Sequence, residues 1–173
     1  MMDPQVAPLA RQYDLNTDLL LNCLEGLSDA EAQRRLAAGG NSIAFLASHL
    51  VDSRHFLVTR LDHPIPNPLG RYLADVKSID DIRELPPLDE IRSSWAAVSA
   101  HLQQVLGELT AEELTVTGVH RFPLNDSSRL GLVAFLAQHD SYHLGQIAFL
   151  RRQVGHPPMS YARRPAQPPA GVV

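Results

Sequence analysis

Three histidines in this sequence have the spacing of a metal site. His139 and His143 are four residues apart in a segment with helical periodicity, so their side chains lie on one helix face, close enough to bind one ion. His49 ends the segment 43–49 (IAFLASH), which is echoed by 133–139 (VAFLAQH), a segment that ends on His139. Three imidazoles leave open positions on a divalent ion, which is how proteins usually hold a catalytic metal. The pattern predicts a metal site formed by these three residues.

The same histidines also have a simpler explanation. Histidine pairs at i and i+4 are common on helices, and the glutamate of the HExxH metalloprotease motif is missing, because Asp140 and Ser141 follow His139. However, His139 and His143 share a stripe with apolar residues that should face the protein interior. Buried imidazoles without partners are costly, and one ion would satisfy all three rings. The repeated histidine therefore favours metal binding over packing.

Several neighbouring residues are candidates for supporting roles. Gln146 is one turn beyond His143 and is predicted to contact a metal-bound water or a substrate; the alternative is a hydrogen bond at the edge of the core. Asp52 and Asp140 are candidates for carboxylates that orient an imidazole, although either could be a solvated charge. His63 could overhang the mouth of the pocket. Packing in the core is expected for Cys23 and Trp95, and packing also for Tyr142. His55 is expected to pack or to lie at the surface, and surface or loop positions are expected for His101, His120 and His156.

Four long helices are needed to position these residues. Apolar residues recur at helical spacing, capping residues precede the runs, and Gly155 closes the last one. No strand is expected, so the predicted fold class is all-α, with the helices packed as a four-helix bundle. The predicted helices run from about 4 to 25, from Asn41 or Ser42 to about 61, from about 89 to 109, and from Asp126 or Ser127 to about 154.

Shorter helices and one long connection complete the expected bundle. Ser28 and Thr110 begin capping boxes, and the helix after Ser28 is expected to continue to about Ala38. Alternating prolines exclude helix at 62–70, which begins a long connection between the second and third helices, with a short helix expected at 78–85. If the two helix pairs are related by a pseudo-two-fold axis, the first and second copies of the histidine segment face each other across the bundle axis.

Composition restricts the classes of function. The chain has 173 residues, enough for one domain: we expect a bundle at 1–155 and an extended or mobile Pro-rich tail at 156–173. Its formal net charge of -4 does not indicate the excess of basic residues that is typical of proteins that bind nucleic acid. A single cysteine excludes an intramolecular disulfide. No segment reads as a signal peptide or a membrane span, so we expect a cytoplasmic protein without nucleic-acid or membrane partners.

The motif residues resemble a known family. His49 in an Ala/Leu-rich helix, Trp95 in the third helix and the segment 139–146 (HDSYHLGQ) are similar to the DinB-like superfamily. That superfamily includes bacillithiol transferases and the metal-binding domain of mycothiol-dependent maleylpyruvate isomerase. The resemblance implies an up-down-down-up bundle and a divalent metal held by three histidines, which here fall on His49, His139 and His143. Many relatives form homodimers, so a homodimer is expected.

Such a site has more than one use. All-histidine ligation suits Zn or Ni, with Fe and Co as alternatives. The first hypothesis is a metal-dependent transferase that uses a low-molecular-weight thiol as cofactor and a small-molecule substrate, or a related hydrolase that uses water. The second is a stress-linked metal-binding module without catalysis. The third is a metal-free helical interaction protein whose histidines only pack. The sequence leaves open whether the chain is an enzyme.

Overall fold

The structure, a computed structural model, describes residues 2–164 except 75, 77, 119, 121 and 123. The regular secondary structure of these residues is helical, apart from an isolated bridge between Thr117 and Ser128. None of the described helices is both long and apolar enough to cross a membrane. The all-α prediction is confirmed, with α1 at Ala7–Leu24, α2 at Asp29–Gln33, α3 at Ile43–Arg60, α4 at Gly70–Leu73, a 3-10 helix at Ile79–Asp81, α5 at Leu88–Glu108, α6 at Ala111–Leu114 and α7 at Arg129–Gln153.

The long helices α1, α3, α5 and α7 form a ring in which each packs against two others. Helix α1 packs on α7 and α5, and α3 packs on the same two helices. The Tyr13 hydroxyl donates to the carbonyl of Val133, and Arg151 donates to the carbonyl of Cys23, so α1 and α7 run parallel. Gln103, in the second half of α5, donates to a carbonyl in the first turn of α1, so these two helices are antiparallel.

The direction of α3 completes the topology. Arg54 of α3 bonds to Asp140 of α7, while Arg129 at the start of α7 pairs with Asp62 just after α3, so these helices run in opposite directions. The order is therefore up-down-down-up, with the long connection between α3 and α5. Because α3 and α7 are neighbours in the ring, His49 meets the α7 histidines at a helix–helix contact rather than across the bundle axis.

Side-chain caps fix most of the helix starts. The predicted capping boxes at Ser28 and Thr110 are both present, and Ser42 caps α3. The predicted start of α7 at Asp126 or Ser127 is wrong, since Ser128 is the N-cap and its hydroxyl accepts from the N–H of Gly131. The bridge to Thr117 keeps the chain extended up to that residue. A side chain at position 131 would meet the carbonyl of Asp126 at 2.4 Å, so glycine is required there.

Two short helices are shorter than the sequence indicates. Helix α2 ends at Gln33 rather than near Ala38, because residues 34–39 are exposed and bury no apolar face that would stabilise another turn. Instead, the Arg35 guanidinium bonds to the carbonyl of Gly40 and to Asp80. The helix expected at 78–85 is only the short 3-10 helix, since the chain becomes extended at residue 82 before the prolines.

The C-terminal segment lies against α1 over residues 156–164. The side-chain amide of Asn22 donates to the carbonyls of Ser160 and Ala162, and Arg163 forms an ion pair with Asp14. This part of the predicted tail is therefore extended and docked. The rest of that prediction, 165–173, lies outside the described residues.

A buried polar cluster separates two apolar cores. One apolar cluster lies near the end of α1 and the start of α3, and the other lies near the start of α1 and the end of α3. Between them, Nε and Nη2 of Arg54 donate to the same carboxylate oxygen of Asp140 at 3.0 and 2.9 Å, and both side chains are 1% exposed. Nη1 of Arg54 bonds to Thr17 and Ser99, and its guanidinium stacks 3.6 Å above the Trp95 ring. The cluster connects all four long helices.

We expect Asp140→Asn to lower the free energy of unfolding by roughly 3–5 kcal/mol, because it leaves a buried guanidinium without its counter-charge. The matched control is Glu90→Gln, which removes one charge from the ion pair that Glu90 forms with the largely exposed Arg71. That change should cost about 1 kcal/mol or less. Urea denaturation of both variants measures the difference, and equal losses would contradict a structural role for the buried pair.

Candidate metal centre

The three predicted histidines meet where α3 packs on α7. Nε2 of His139 lies 3.1 Å from Nε2 of His49 and 3.1 Å from Nε2 of His143. The rings of His49 and His143 have centroids 4.9 Å apart. Among the described His, Cys, Asp and Glu side chains, this is the only group of three or more whose ligand atoms all lie within 4.8 Å of one another. The structure thus brings together the residues that the repeated segment singled out.

The spacing of the three nitrogens fits a single metal ion. Nitrogens bound to Zn at about 2.0–2.1 Å lie about 3.3 Å apart at a tetrahedral angle, and about 2.9 Å apart at the right angle of an octahedron. The two observed separations of 3.1 Å fall between these values. The rings are half-buried, which leaves one side of the group accessible. The donor set could therefore hold an ion without rearrangement of the helices.

Burial keeps the imidazoles in the form that metals bind. Desolvation, followed by the nearby ring of His143, lowers the pKa of His49 to about 4. The pKa of His139 is also lowered to about 4, mainly by desolvation and then by its two histidine neighbours. Burial lowers the pKa of His143 as well, and the hydrogen bond to Gln146 partly opposes this change. All three rings are thus uncharged at neutral pH, with nitrogen lone pairs available for a cation.

Gln146 sets the orientation of His143. Its side-chain oxygen lies 2.7 Å from Nδ1 of the His143 ring. Because an amide oxygen only accepts hydrogen bonds, Nδ1 carries the proton and Nε2 presents its lone pair to the other two rings. The alternative role named for Gln146, a hydrogen bond at the edge of the core, is therefore observed. Its contact with a bound water or substrate stays a prediction.

Neither candidate carboxylate forms a hydrogen bond with the three histidines of the described site. Asp140 points into the core and bonds to Arg54, and one of its oxygens has no hydrogen-bond partner among the described residues. Asp52 accepts a hydrogen bond from the side chain of Asn67 at 2.9 Å. An i+1 residue on a helix points about 100° away from its neighbour, which directs Asp140 away from the histidine group. Nδ1 of His139 is buried and has no hydrogen-bond partner among the described residues, so no carboxylate orients this ring.

The other candidates lie outside the group. Packing was the wrong prediction for Tyr142, which is 60% exposed and has its ring 5.0 Å from the His143 ring. His63 does not overhang the group: its carbonyl accepts from His101 near the opposite end of α3. The remaining side chains lie as follows: Cys23 is buried, with its pKa raised by burial to about 12; Trp95 is buried and donates to Thr17; His55 is buried; His120 accepts from the N–H of Phe122; and His156 pairs with Glu31.

A cavity of about 310 Å³ opens onto two of the three rings. We call it the histidine cavity, and it is lined by Asn41, Phe45, Leu46, His49, Asp52, Leu73, Val76 and His143. Asp52 is the one acidic side chain among these residues. The volume lies at the lower end of the range of about 300–1,000 Å³ that is typical of small-molecule sites. A small ligand could therefore reach an ion held by the histidines.

Comparison with known proteins identifies the family. A family model of the DinB superfamily matches residues 12–147, which include all three histidines. The chain belongs to the DinB superfamily. The fold of this DinB protein is similar to a crystal structure described as the conserved protein of locus from Enterococcus faecalis, with a TM-score of 0.70 and 18% identity over 89% of this chain and 98% of that one. That likeness concerns the fold alone. No curated protein matches the chain.

The Gln146 contact predicts the tautomer of His143 in the metal-free protein. Long-range ¹H–¹⁵N NMR spectra should show His143 mainly as the Nδ1–H form at pH 7. In Gln146→Leu, which cannot accept this hydrogen bond, we expect a shift toward a mixture of tautomers, while His156, which follows the end of α7 and pairs with Glu31, keeps its wild-type signals. A predominant Nε2–H form of His143 in the wild-type protein would contradict the assignment.

Proposed function

We propose that this DinB protein binds one divalent metal ion through His49, His139 and His143. The observation that carries the proposal is the convergence of three Nε2 atoms at the contact between α3 and α7, at the spacing of metal ligands. The neutral state of the rings and the Gln146 contact support it. Three imidazoles without a thiolate suit Zn or Ni best, with Fe and Co as alternatives.

We further propose that the protein is a metal-dependent transferase that uses this site and a low-molecular-weight thiol. A divalent ion supplies a nucleophile near neutral pH by lowering the pKa of a thiol or a water that it binds. The histidine cavity has room for a small molecule beside His49 and His143, and Phe45, Leu46 and Leu73 form apolar parts of its wall. The thiol would lose its proton to solvent. Its sulfur would form a bond to an electrophilic carbon, and the leaving group would depart with the electron pair of the broken bond.

Hydrolysis is the second candidate because of Asp52. This carboxylate lines the histidine cavity together with His49, where it could accept a proton from an attacking water. Its hydrogen bond from Asn67 fixes its position but leaves a second oxygen for such a role. The absence of the glutamate of the HExxH motif makes this candidate the weaker one. We also propose that the protein forms a homodimer, as expected from the family resemblance; neither reaction depends on this proposal.

Elemental analysis tests the metal site. The wild-type protein should retain about one divalent ion per chain after dialysis. His143→Ala should lose the ion, because one of its three donors has been removed. The circular dichroism of this variant should stay helical. His101→Ala is the matched control, since His101 is a half-buried histidine on another helix that bonds to a backbone carbonyl. Equal metal content in wild type and His143→Ala would contradict the assignment.

Turnover measurements test the transferase. The metal-loaded protein is incubated with 1-chloro-2,4-dinitrobenzene and, in turn, bacillithiol, mycothiol and glutathione. We expect conjugation with at least one thiol, lost in His143→Ala and kept in His101→Ala. Absence of thiol dependence with all three would reject the transferase. Ester hydrolysis that Asp52→Asn abolishes would then favour the hydrolase, and no turnover of either kind would favour a metal-binding module without catalysis.

A further inference from the structure

A second and larger cavity adjoins the histidine cavity. It has a volume of about 590 Å³, well within the range of about 300–1,000 Å³ found for small-molecule sites. We call it the apolar pocket, because Leu36, Leu46, Tyr142, Phe149 and Leu150 form much of its wall. Apart from the Tyr142 hydroxyl, its polar lining side chains are the amides of Asn41, Gln146 and Gln153, and no charged side chain lines it among the described residues.

The two cavities share part of their walls. Asn41 and Leu46 line both the apolar pocket and the histidine cavity. Gln146 lines the apolar pocket while its side-chain oxygen bonds to His143. No other hydrogen bond engages the Gln146 side chain within the described ranges, so its amide nitrogen can donate to a ligand. A molecule in the apolar pocket would therefore lie beside the proposed metal ligands.

The rim of the apolar pocket carries large apolar side chains that are exposed to solvent. Tyr142 is 60% exposed, Phe149 is 63% exposed and Leu36 is 39% exposed. Clustered exposed apolar side chains mark a surface that a ligand or a partner covers. A small molecule is favoured over a protein surface, because the lining is concave, shares Asn41 and Leu46 with the histidine cavity and offers a few amide groups within an apolar wall.

We propose that the apolar pocket binds the uncharged, mainly apolar part of the second substrate, whose reactive carbon enters the histidine cavity. The inference rests on the proposed function and specifies the substrate class: a neutral aryl or alkyl electrophile with a hydrogen-bond acceptor that the Gln146 amide can reach. An anionic group in the apolar pocket is disfavoured, since none of the described lining side chains carries a positive charge that would offset its lost hydration.

Gly145 provides a way to fill the apolar pocket. A Cβ atom added at this helical position would meet no atom within 4 Å, and Gly145 lines the cavity, so we expect a leucine side chain there to enter the open space of the apolar pocket. Leucine is also a better helix former than glycine, so the variant should fold. Ala134→Leu is the control, because position 134 is exposed on the same helix and lines neither cavity.

The test is a fluorescence titration with the neutral probe N-phenyl-1-naphthylamine, on metal-loaded and metal-stripped protein. Wild type and Ala134→Leu should bind the probe equally, whereas Gly145→Leu should bind at least about tenfold more weakly. Elemental analysis should show the same metal content in all three. In the turnover assay, Gly145→Leu should raise KM for an aryl electrophile but not for the much smaller iodoacetamide.

Three results would overturn the inference. The first is probe binding that Gly145→Leu leaves unchanged. The second is equally tight binding of the anionic analogue 8-anilinonaphthalene-1-sulfonate. The third is a wild-type dimer that Gly145→Leu dissociates in sedimentation experiments, which would make this face an interface between copies of the chain. Failure of the proposed function can be distinguished from failure of this inference. In that case the protein lacks the metal or its turnover does not depend on a thiol, while binding of the probe still depends on position 145.

Discussion

The ion pair between Arg54 and Asp140 is the interaction on which the arrangement of the bundle depends. Two opposite charges lie between two apolar cores, and the guanidinium also bonds to polar groups of α1 and α5. Nearly every polar atom of the pair has a hydrogen-bond partner, and these bonds offset much of the desolvation cost of burying the two charges. Arg54 shares α3 with His49, and Asp140 follows His139 on α7, so this pair fixes the register at which the two histidine-bearing helices meet.

The histidine group illustrates how a helical core can be organised around polar rings. In the absence of an ion, each pair of neighbouring Nε2 atoms at 3.1 Å can share only one proton, and protonation of all three rings would place like charges together. Desolvation is the main cause of the lowered pKa values of His49 and His139, and this repulsion between neighbouring rings adds to it. Gln146 resolves the choice of tautomer at His143 and leaves its Nε2 facing Nε2 of His139, which in turn lies beside Nε2 of His49. The apolar lining beside them supplies room for a neutral ligand but no charge to bind an anion.

Much of this architecture could be predicted from local patterns. The histidine repeat, the capping boxes at Ser28 and Thr110 and the helical periodicity are short-range signals, and the structure contains the elements that they indicate. The Arg54–Asp140 pair joins residues 86 positions apart, and nothing in the local pattern of either residue names its partner. The start of α7 depends on the bridge between Thr117 and Ser128, and α2 ends early because the residues after it make no buried apolar contacts. Helical periodicity in the sequence indicates neither of these. The i+3 spacing of Gln146 from His143 was the available signal for their hydrogen bond.

The most direct measurement is anomalous X-ray diffraction from crystals of the purified protein, at the absorption edge of the metal found by elemental analysis. We predict one strong peak at about 2.0–2.1 Å from Nε2 of His49, His139 and His143, with Gln146 still bonded to Nδ1 of His143. Diffraction that shows no peak between these rings, with each imidazole paired to another protein group, would contradict the account.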